Sequence, residues 1–359
     1  MNITIVGGGN IGTQFAVHAA SKGHQVTIFT SKPEKWSRRI NIVNHAGEEL
    51  LHGEIKKVTN NTDEAFLNAD LIFVTVPAFC MAVEAGRIEK YAHPGLFIGL
   101  IPGTGGGEVA FRGCLEKGAT VFGLQRVPSV ARLVEYGKSV CATGYRDKLF
   151  AVAMPHADTE NCCNIVSAIF DMPCDPLPAY LNLTLTPSNP ILHTTRLYKL
   201  FEGYKEGVFY PRIPLFYEEW NDETSRLLFA CDDEVQDVCR KLTQFDLNYV
   251  KSLKIHYESD TPEKLTRKIA SIEGFKGIKT PMVETSEGFL PDFNSRYFKA
   301  DFSYGLAILI QIADLSGIKT PNMRMIWNWY LKVTGEKKYF SYTEYGINTI
   351  EDFIEFYSK

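Results

Sequence analysis

No apolar stretch in this chain approaches the roughly 20 residues of a membrane-spanning helix, so no membrane partner is expected. Neither sign of charge dominates. Thirty-eight Lys and Arg stand against 42 Asp and Glu, for a net charge of −4. That balance argues against nucleic acid or an anionic surface as a partner. The eight cysteines include no Cys-x-x-Cys pair, and no His lies at zinc-finger spacing from them, so no metal site is expected. They read instead as small apolar core residues of a reducing compartment. Internal repeats and low-complexity segments are also missing. The first residues, Met1-Asn2-Ile3-Thr4-Ile5-Val6, already read as a strand. No presequence is expected before them, and the location expected is cytoplasmic.

Apolar material is ample: 45% of 359 residues is hydrophobic, enough for the cores of two domains. Through about residue 182, short apolar strands alternate with helical stretches. This is the pattern of an α/β Rossmann domain, a mostly parallel sheet with helices on both faces. Candidate strands are 2–6, 25–30, 54–59, 71–76, 96–101 and 119–124. The runs 139–143 and 149–154 are expected to extend the same sheet, and Asp158 to open a helix. From 183 to 359 helical periodicity takes over, so the expected C-terminal domain is all-α. There, Asn221-Asp222-Glu223 can cap a long helix with Leu228, Cys231, Val235, Val238 and Leu242 on one face. A second helix is expected over 302–315, stopping at Gly317.

The strand 2–6 runs directly into Gly7-Gly8-Gly9-Asn10-Ile11-Gly12, a Gly-x-Gly-x-x-Gly turn opening a helix. Gly7 permits the tight turn, Gly9 lets a pyrophosphate approach the backbone, and Gly12 lets helix and strand pack closely. The helix N-terminus stabilises the phosphate charge. The helix ends at Gly23 and a strand follows, which completes the βαβ context of a dinucleotide site. Gly7, Gly9, Asn10, Ile11 and Gly12 are therefore expected to bind the cofactor.

The end of the second strand discriminates between cofactors. An NAD site usually places Asp or Glu there for the ribose hydroxyl. Here it reads Phe29-Thr30-Ser31-Lys32, with Arg38 and Arg39 nearby. Hydroxyls and cations at Thr30, Ser31 and Lys32 suit a 2′-phosphate, so NADP is the expected cofactor and NAD the alternative. An ordinary solvated basic loop would have the same composition. Val76 and Pro77 end the fourth strand and should line the cofactor too. The loop 102–107, which holds Thr104, lacks the Lys-Ser/Thr ending of a P-loop and reads as close backbone packing beside the nicotinamide.

A dehydrogenase needs a proton donor or acceptor and a cation for the substrate carboxylate. Of eight histidines, His193 differs by its place, in the first helical turn after the domain boundary within Asn189-Pro190-Ile191-Leu192-His193. From position alone it is equally a catalytic or a structural histidine. Asp301, in Ser295-Arg296-Tyr297-Phe298-Lys299-Ala300-Asp301, sits where a helix N-cap would be. Arg296 could be a solvated charge. The aromatic segment 209–217 could wall a substrate pocket or simply pack.

These residues together resemble the octopine/nopaline (opine) dehydrogenase family. The resemblance rests on the glycine turn, on Asn-Pro-x-x-His at the junction, and on Ser-Arg-Tyr-x-x-x-Asp-x-x-x-Gly-Leu from Ser295. The segment 127–138 and the tail 345–352 are similar to family segments as well. The resemblance implies an NAD(P)H-dependent condensation of an amino acid with a 2-oxo acid, the imine being reduced to a secondary amine dicarboxylate. It implies His193 as general acid/base, Asp301 as the group that orients it, and Arg296 as the carboxylate ligand. Thr104 and Arg132 match segments near the substrate and are expected to touch it.

Two other readings compete. A 2-oxo acid reductase of the hydroxyacid or ketopantoate type shares the layout but uses a catalytic lysine, and Lys199 and Lys241 lack a matching motif. A non-catalytic NADPH-binding regulator would not need His193, Arg296 and Asp301 together. The expected partners are small molecules, and the expected assembly is a monomer or homodimer.

Overall fold

The computed structural model describes residues 1–186 and 189–359; Pro187 and Ser188 of the junction segment lie outside the described residues. The chain divides into two compact units, Met1–Thr184 with Tyr357–Lys359, and Leu185–Phe356.

The first unit opens with β1 (Asn2–Val6), α1 (Asn10–Ser21) and β2 (Gln25–Phe29). It continues through β3 (Arg39–Val43), β4 (Glu49–Glu54), β5 (Lys57–Thr59), β6 (Leu71–Val74) and β7 (Phe97–Leu100). After the short helix α2 (Gly107–Ala110) come β8 (Thr120–Leu124), β9 (Val130–Glu135), β10 (Ser139–Thr143) and β11 (Leu149–Met154). Helix α3 (Thr159–Phe170) and β12 (Cys174–Pro176) follow.

Eight strands form one sheet in the order β12-β11-β8-β7-β6-β1-β2-β5. All its pairs are parallel except β8 with β11. Its central strands are apolar on both faces because helices cover both: Leu71, Ile72, Phe73 and Val74 of β6 are all buried. A mostly parallel sheet of this kind needs crossovers, and it leaves its ligand site at the carboxyl ends of the strands.

Two strand expectations need correction. The run 139–143 does not extend the main sheet. As β10 it pairs with β9 and β3 in a separate sheet of order β4-β3-β10-β9. Its burial alternates, with Val140 and Ala142 inside and Ser139, Cys141 and Thr143 only partly covered. Such alternation marks a sheet covered on one face, which a short apolar run does not reveal. The run 54–59 likewise splits. Glu54 closes β4 in the second sheet, while Lys57 opens β5 in the first. Ile55 N–H bonds Arg38 and Lys56 N–H bonds Val26, so the chain changes sheets at that point. One core joins both sheets to α1, with Phe15, Ile3, Ile28, Ile40, Ile42, Val140 and Phe170 among its members.

The second unit is mainly helical: α4 (Asn189–Phe201), α5 (Asp222–Lys241), α6 (Pro262–Ser271), α7 (Ala307–Leu315) and α8 (Pro321–Thr334). Asn221 caps α5 by accepting from Thr224 N–H, and Leu228, Cys231, Val235 and Val238 are buried along one stripe. Glu234 of α5 accepts from Asn322 and Met323 N–H, supplying a carboxylate to the first turn of α8.

The all-α expectation also changes. A hairpin of β13 (Met282–Thr285) and β14 (Gly288–Pro291) interrupts the helices. The helix expected to begin at 302 begins at Tyr297, and its first ten residues, Tyr297–Leu306, wind as a π-helix. In this segment Phe298 and Phe302 stack on each other and Phe302 stacks on Tyr330 of α8, contacts that no local propensity reports.

Candidate active site

The glycine turn shows why each small residue is there. Gly7 has φ +103°, and a Cβ on it would come 3.0 Å from Thr75 Oγ1 and 3.1 Å from Val76 Cγ1. A Cβ on Gly12 would lie 1.9 Å from the Gly7 carbonyl oxygen, so helix and turn could not meet. Gly9 is different, because nothing lies within 4 Å of the position of its missing Cβ. Packing therefore does not explain Gly9, and the space beside it is open to a ligand. Gly9 N-caps α1 without a side-chain cap, and no acidic residue occupies the first turn. Uncapped N–H groups beside an open space fit an anionic pyrophosphate, so the residues present fit a dinucleotide.

Asn10 turns its side chain to β9, accepting from Leu133 N–H at 2.8 Å, and Ile11 packs against the core. Sequence patterns did not single out Trp36, and named Tyr136 only within a longer segment. Yet a Cβ on Gly8 would meet Trp36 Cζ2 at 2.6 Å and Tyr136 Oη at 3.0 Å. These two rings, 5.7 Å apart edge to face, wall the turn. Tyr136 Oη also lies 3.0 Å from Thr30 Oγ1, which fixes the hydroxyl at the end of β2. Ser31, Lys32 and Arg38 are exposed. Val76 is half-buried and Pro77 exposed at the end of β6.

The loop 102–107 is built for close packing. A Cβ on Gly103 would come 2.6 Å from Leu183 Cδ1 and 2.7 Å from Gly123 Cα. Thr104 is half-buried within it. Arg132 is exposed on β9, with Nη1 donating to the neighbouring Ala131 carbonyl.

In the second unit, α4 carries His193 inside a ring of aromatics. Tyr297 lies 4.6 Å and Phe216 5.6 Å from it between ring centroids. The side chain is buried, and His193 Nδ1 is 2.7 Å from Asp301 Oδ2. Asp301 is therefore not an N-cap. It sits within the π-helix, five residues after Arg296, which is one i→i+5 hydrogen-bonded step in such a helix. A carboxylate only accepts, so the hydrogen of the neutral imidazole belongs on Nδ1, and Nε2 is left as the basic nitrogen. Arg296 is exposed at the start of the π-helix and makes no ion pair among the described residues.

Nε2 meets Tyr217 Oη at 2.7 Å. Tyr217 closes the aromatic segment 209–217, and the structure packs its end: Phe216 and Tyr217 are buried. What holds it there is Arg196, three residues past His193 on α4. Its guanidinium donates to three main-chain carbonyls, Phe216 at 2.8 Å, Glu219 at 2.9 Å and Leu215 at 3.2 Å. Burial pushes Arg196 down to about 10. Glu219 completes the loop by pairing with Arg212 and accepting from Leu215 N–H, and those bonds hold its carboxyl at about 2. Sequence patterns did not single out Arg196, whose partners are main-chain carbonyls.

Residues 176–334 match the family described as NAD/NADP octopine/nopaline dehydrogenase, alpha-helical domain. Residues 2–101 match the N-terminal domain of NAD-dependent glycerol-3-phosphate dehydrogenase. Together the two matched segments span the dinucleotide-binding and helical parts of the chain, and the first is similar to the octopine/nopaline dehydrogenases. Both matched models are of NAD- or NADP-dependent dehydrogenases, and the chain is an NAD(P)-dependent oxidoreductase. Tauropine dehydrogenase of Arabella iricolor is 27% identical, the match covering 98% of this chain and 99% of that one. Octopine dehydrogenase of Pecten maximus is 24% identical over 94% of this chain and 91% of its own. A solved octopine dehydrogenase with NADH and L-arginine superimposes with TM-score 0.85 at 21% identity, covering 98% of this chain and 97% of that one. Among the described residues no cluster could hold a metal ion, and no helix is long and apolar enough to cross a membrane.

Proposed function

We propose that this chain reduces the condensation product of an amino acid and a 2-oxo acid, such as pyruvate, to a secondary amine dicarboxylate. The observation that carries the reading is the His193–Asp301 pair, a buried imidazole with one nitrogen fixed by a carboxylate and the other left basic. His193 serves as general acid/base. Asp301 orients the ring and stabilises its protonated form. Arg296 binds the 2-oxo acid carboxylate, for which its planar fork is suited and for which it is unpaired among the described residues. Gly7, Gly9 and Gly12 hold the dinucleotide at the start of α1, which when bound supplies the hydride. The relatives named for octopine and tauropine support the same reaction class.

NADPH is the favoured cofactor. The end of β2 offers Thr30, Ser31 and Lys32 with no carboxylate, and Arg38 adds a second exposed cation. Thr104 and Arg132 are assigned to the substrate on the strength of the family segments alone. The ketopantoate-type alternative would need a committed lysine, but Lys199 is already paired with Glu202. The reaction is expected in the cytoplasm, in a monomer or homodimer.

A His193→Ala variant tests the reading. Fluorescence titration with NADPH should give unchanged affinity while turnover falls by about 10²-fold or more. Retained turnover would remove His193 from the chemistry, and with it the proposal.

A further inference from the structure

Asp301 occupies Nδ1, so any proton that His193 gives or takes in a reaction travels through Nε2. That nitrogen does not face open solvent. It faces Tyr217 Oη at 2.7 Å, and the imidazole itself is buried.

Tyr217 is not placed to swing aside. Its ring stacks on Phe275 with centroids 4.0 Å apart and an interplanar angle of 17°, and runs parallel to Trp220 at 6.4 Å. Phe216 meets it edge to face at 4.8 Å. The main chain is fixed on either side: Phe216 N–H bonds Ile278 at 2.7 Å, and Trp220 N–H bonds Tyr217 at 3.1 Å. Arg196 holds the carbonyls of Leu215, Phe216 and Glu219 from the same helix that carries His193. Helix α4 thus supplies both the imidazole and the clamp that fixes the phenol against it. A tyrosine needed only to fill space would not require its hydroxyl at the reactive nitrogen.

We propose that Tyr217 is a catalytic residue, the group that passes the proton between His193 and the substrate. The inference rests on the acid/base role proposed for His193. In the resting neutral pair, Tyr217 O–H donates to Nε2. In the acid form, Nε2–H donates to Tyr217 Oη, and the phenolic hydrogen is directed to the carbonyl oxygen of the 2-oxo acid. As the amine adds to the carbonyl carbon, the C=O π pair moves onto oxygen and takes the phenolic proton. The phenol oxygen takes the Nε2 proton in the same step. Tyr217 ends as it began, and His193 ends neutral with Nδ1–H still on Asp301. No electrons are exchanged within the relay, and hydride delivery is separate from it.

The test compares wild type with Tyr217→Phe, using whichever 2-oxo substrate the wild-type enzyme turns over with NADPH or NADH. A relay predicts that kcat falls by about 10²-fold while the KM values change less than about threefold. It also predicts a curved rate profile in H₂O/D₂O mixtures for wild type, from two protons in flight, and a straight one for the variant. A second variant carries 3,5-difluorotyrosine at 217, which keeps the shape of the ring and makes the phenol more acidic. Its kcat should change relative to wild type, with the curved profile retained. Unchanged kcat in both variants would reduce Tyr217 to a packing residue. A rise in kcat for Tyr217→Phe would make it a plug over Nε2, and either result overturns the proposal. If an oxo acid alone sustains turnover, the condensation reading fails, while the relay is still judged by the same ratios.

Discussion

Asp301 Oδ2 and His193 Nδ1 meet at 2.7 Å although 108 residues separate them in the chain. The contact exists because the segment after Arg296 winds as a π-helix before returning to α-helix at Ala307. Asp301 is thereby turned toward α4 instead of capping a helix start. An Asp301→Asn variant should lose kcat by on the order of 10²- to 10⁴-fold, because the amide can stabilise the wrong tautomer and cannot stabilise imidazolium. Cofactor affinity, measured by fluorescence titration, should stay within about twofold. Equal kcat in the variant would mean that His193 needs no carboxylate partner.

Arg196 is a buried cation whose guanidinium donates to main-chain carbonyls. An Arg196→Met variant would leave the carbonyls of Leu215, Phe216 and Glu219 unpaired inside the unit. The expected loss is about 3 kcal/mol or more, seen as a lower melting temperature. Because the same clamp fixes Tyr217, kcat should fall further than the affinity for NADPH. An unchanged melting temperature would show that the stacked rings hold the loop without help.

The glycine turn yields a sharper prediction. Gly12→Ala places a Cβ on the Gly7 carbonyl oxygen, so the turn must move away from α1. Dinucleotide affinity should drop by at least about tenfold. Gly9→Ala meets no protein atom. It should leave the melting temperature unchanged and weaken only the cofactor. If Gly9→Ala bound NADPH normally, the open space beside Gly9 would not be the pyrophosphate site.

Asp232 on α5 gives the unit a pH dependence. Its side chain is buried, Oδ2 accepts from Leu253 N–H at 2.7 Å, and loss of water pushes its carboxyl up to about 7. The unfolded chain ionises this group near pH 4, so the folded state is favoured at low pH. That advantage fades as pH rises toward 7, where the cost reaches on the order of 3–4 kcal/mol. Asp232→Asn keeps an acceptor for Leu253 and removes the charge. The variant should melt higher than wild type at pH 8, and the gap should close as the pH is lowered to 4. A gap that widens on acidification would contradict the assignment.

Much of this was legible in the chain. The glycine turn at the end of β1 is a local device, with strand, turn and helix contiguous, and it stands where the motif places it. The capped helix at Asn221 is local too, and its apolar stripe is the buried one. Less local features were missed. The strand 139–143 carries the same apolar residues as a main-sheet strand, and only its half-covered partners send it to the second sheet. Pattern alone read Asp301 as an N-cap and only the family resemblance put it beside His193, because the π-winding of its segment has no local signature. Arg196 and Tyr217 were unreadable for a related reason. An arginine bound to main-chain carbonyls has no acidic partner in the sequence to reveal it, and a tyrosine at the end of an aromatic run looks like packing.

The measurement that tests the account most directly is oxidation of NADPH and NADH by the purified protein, with 2-oxo acids alone and with amino acids added. Turnover should require both co-substrates, run faster with NADPH, and yield a secondary amine with the mass of the condensed and reduced pair. Full activity on a 2-oxo acid alone would contradict that account and make the chain a hydroxyacid-forming reductase.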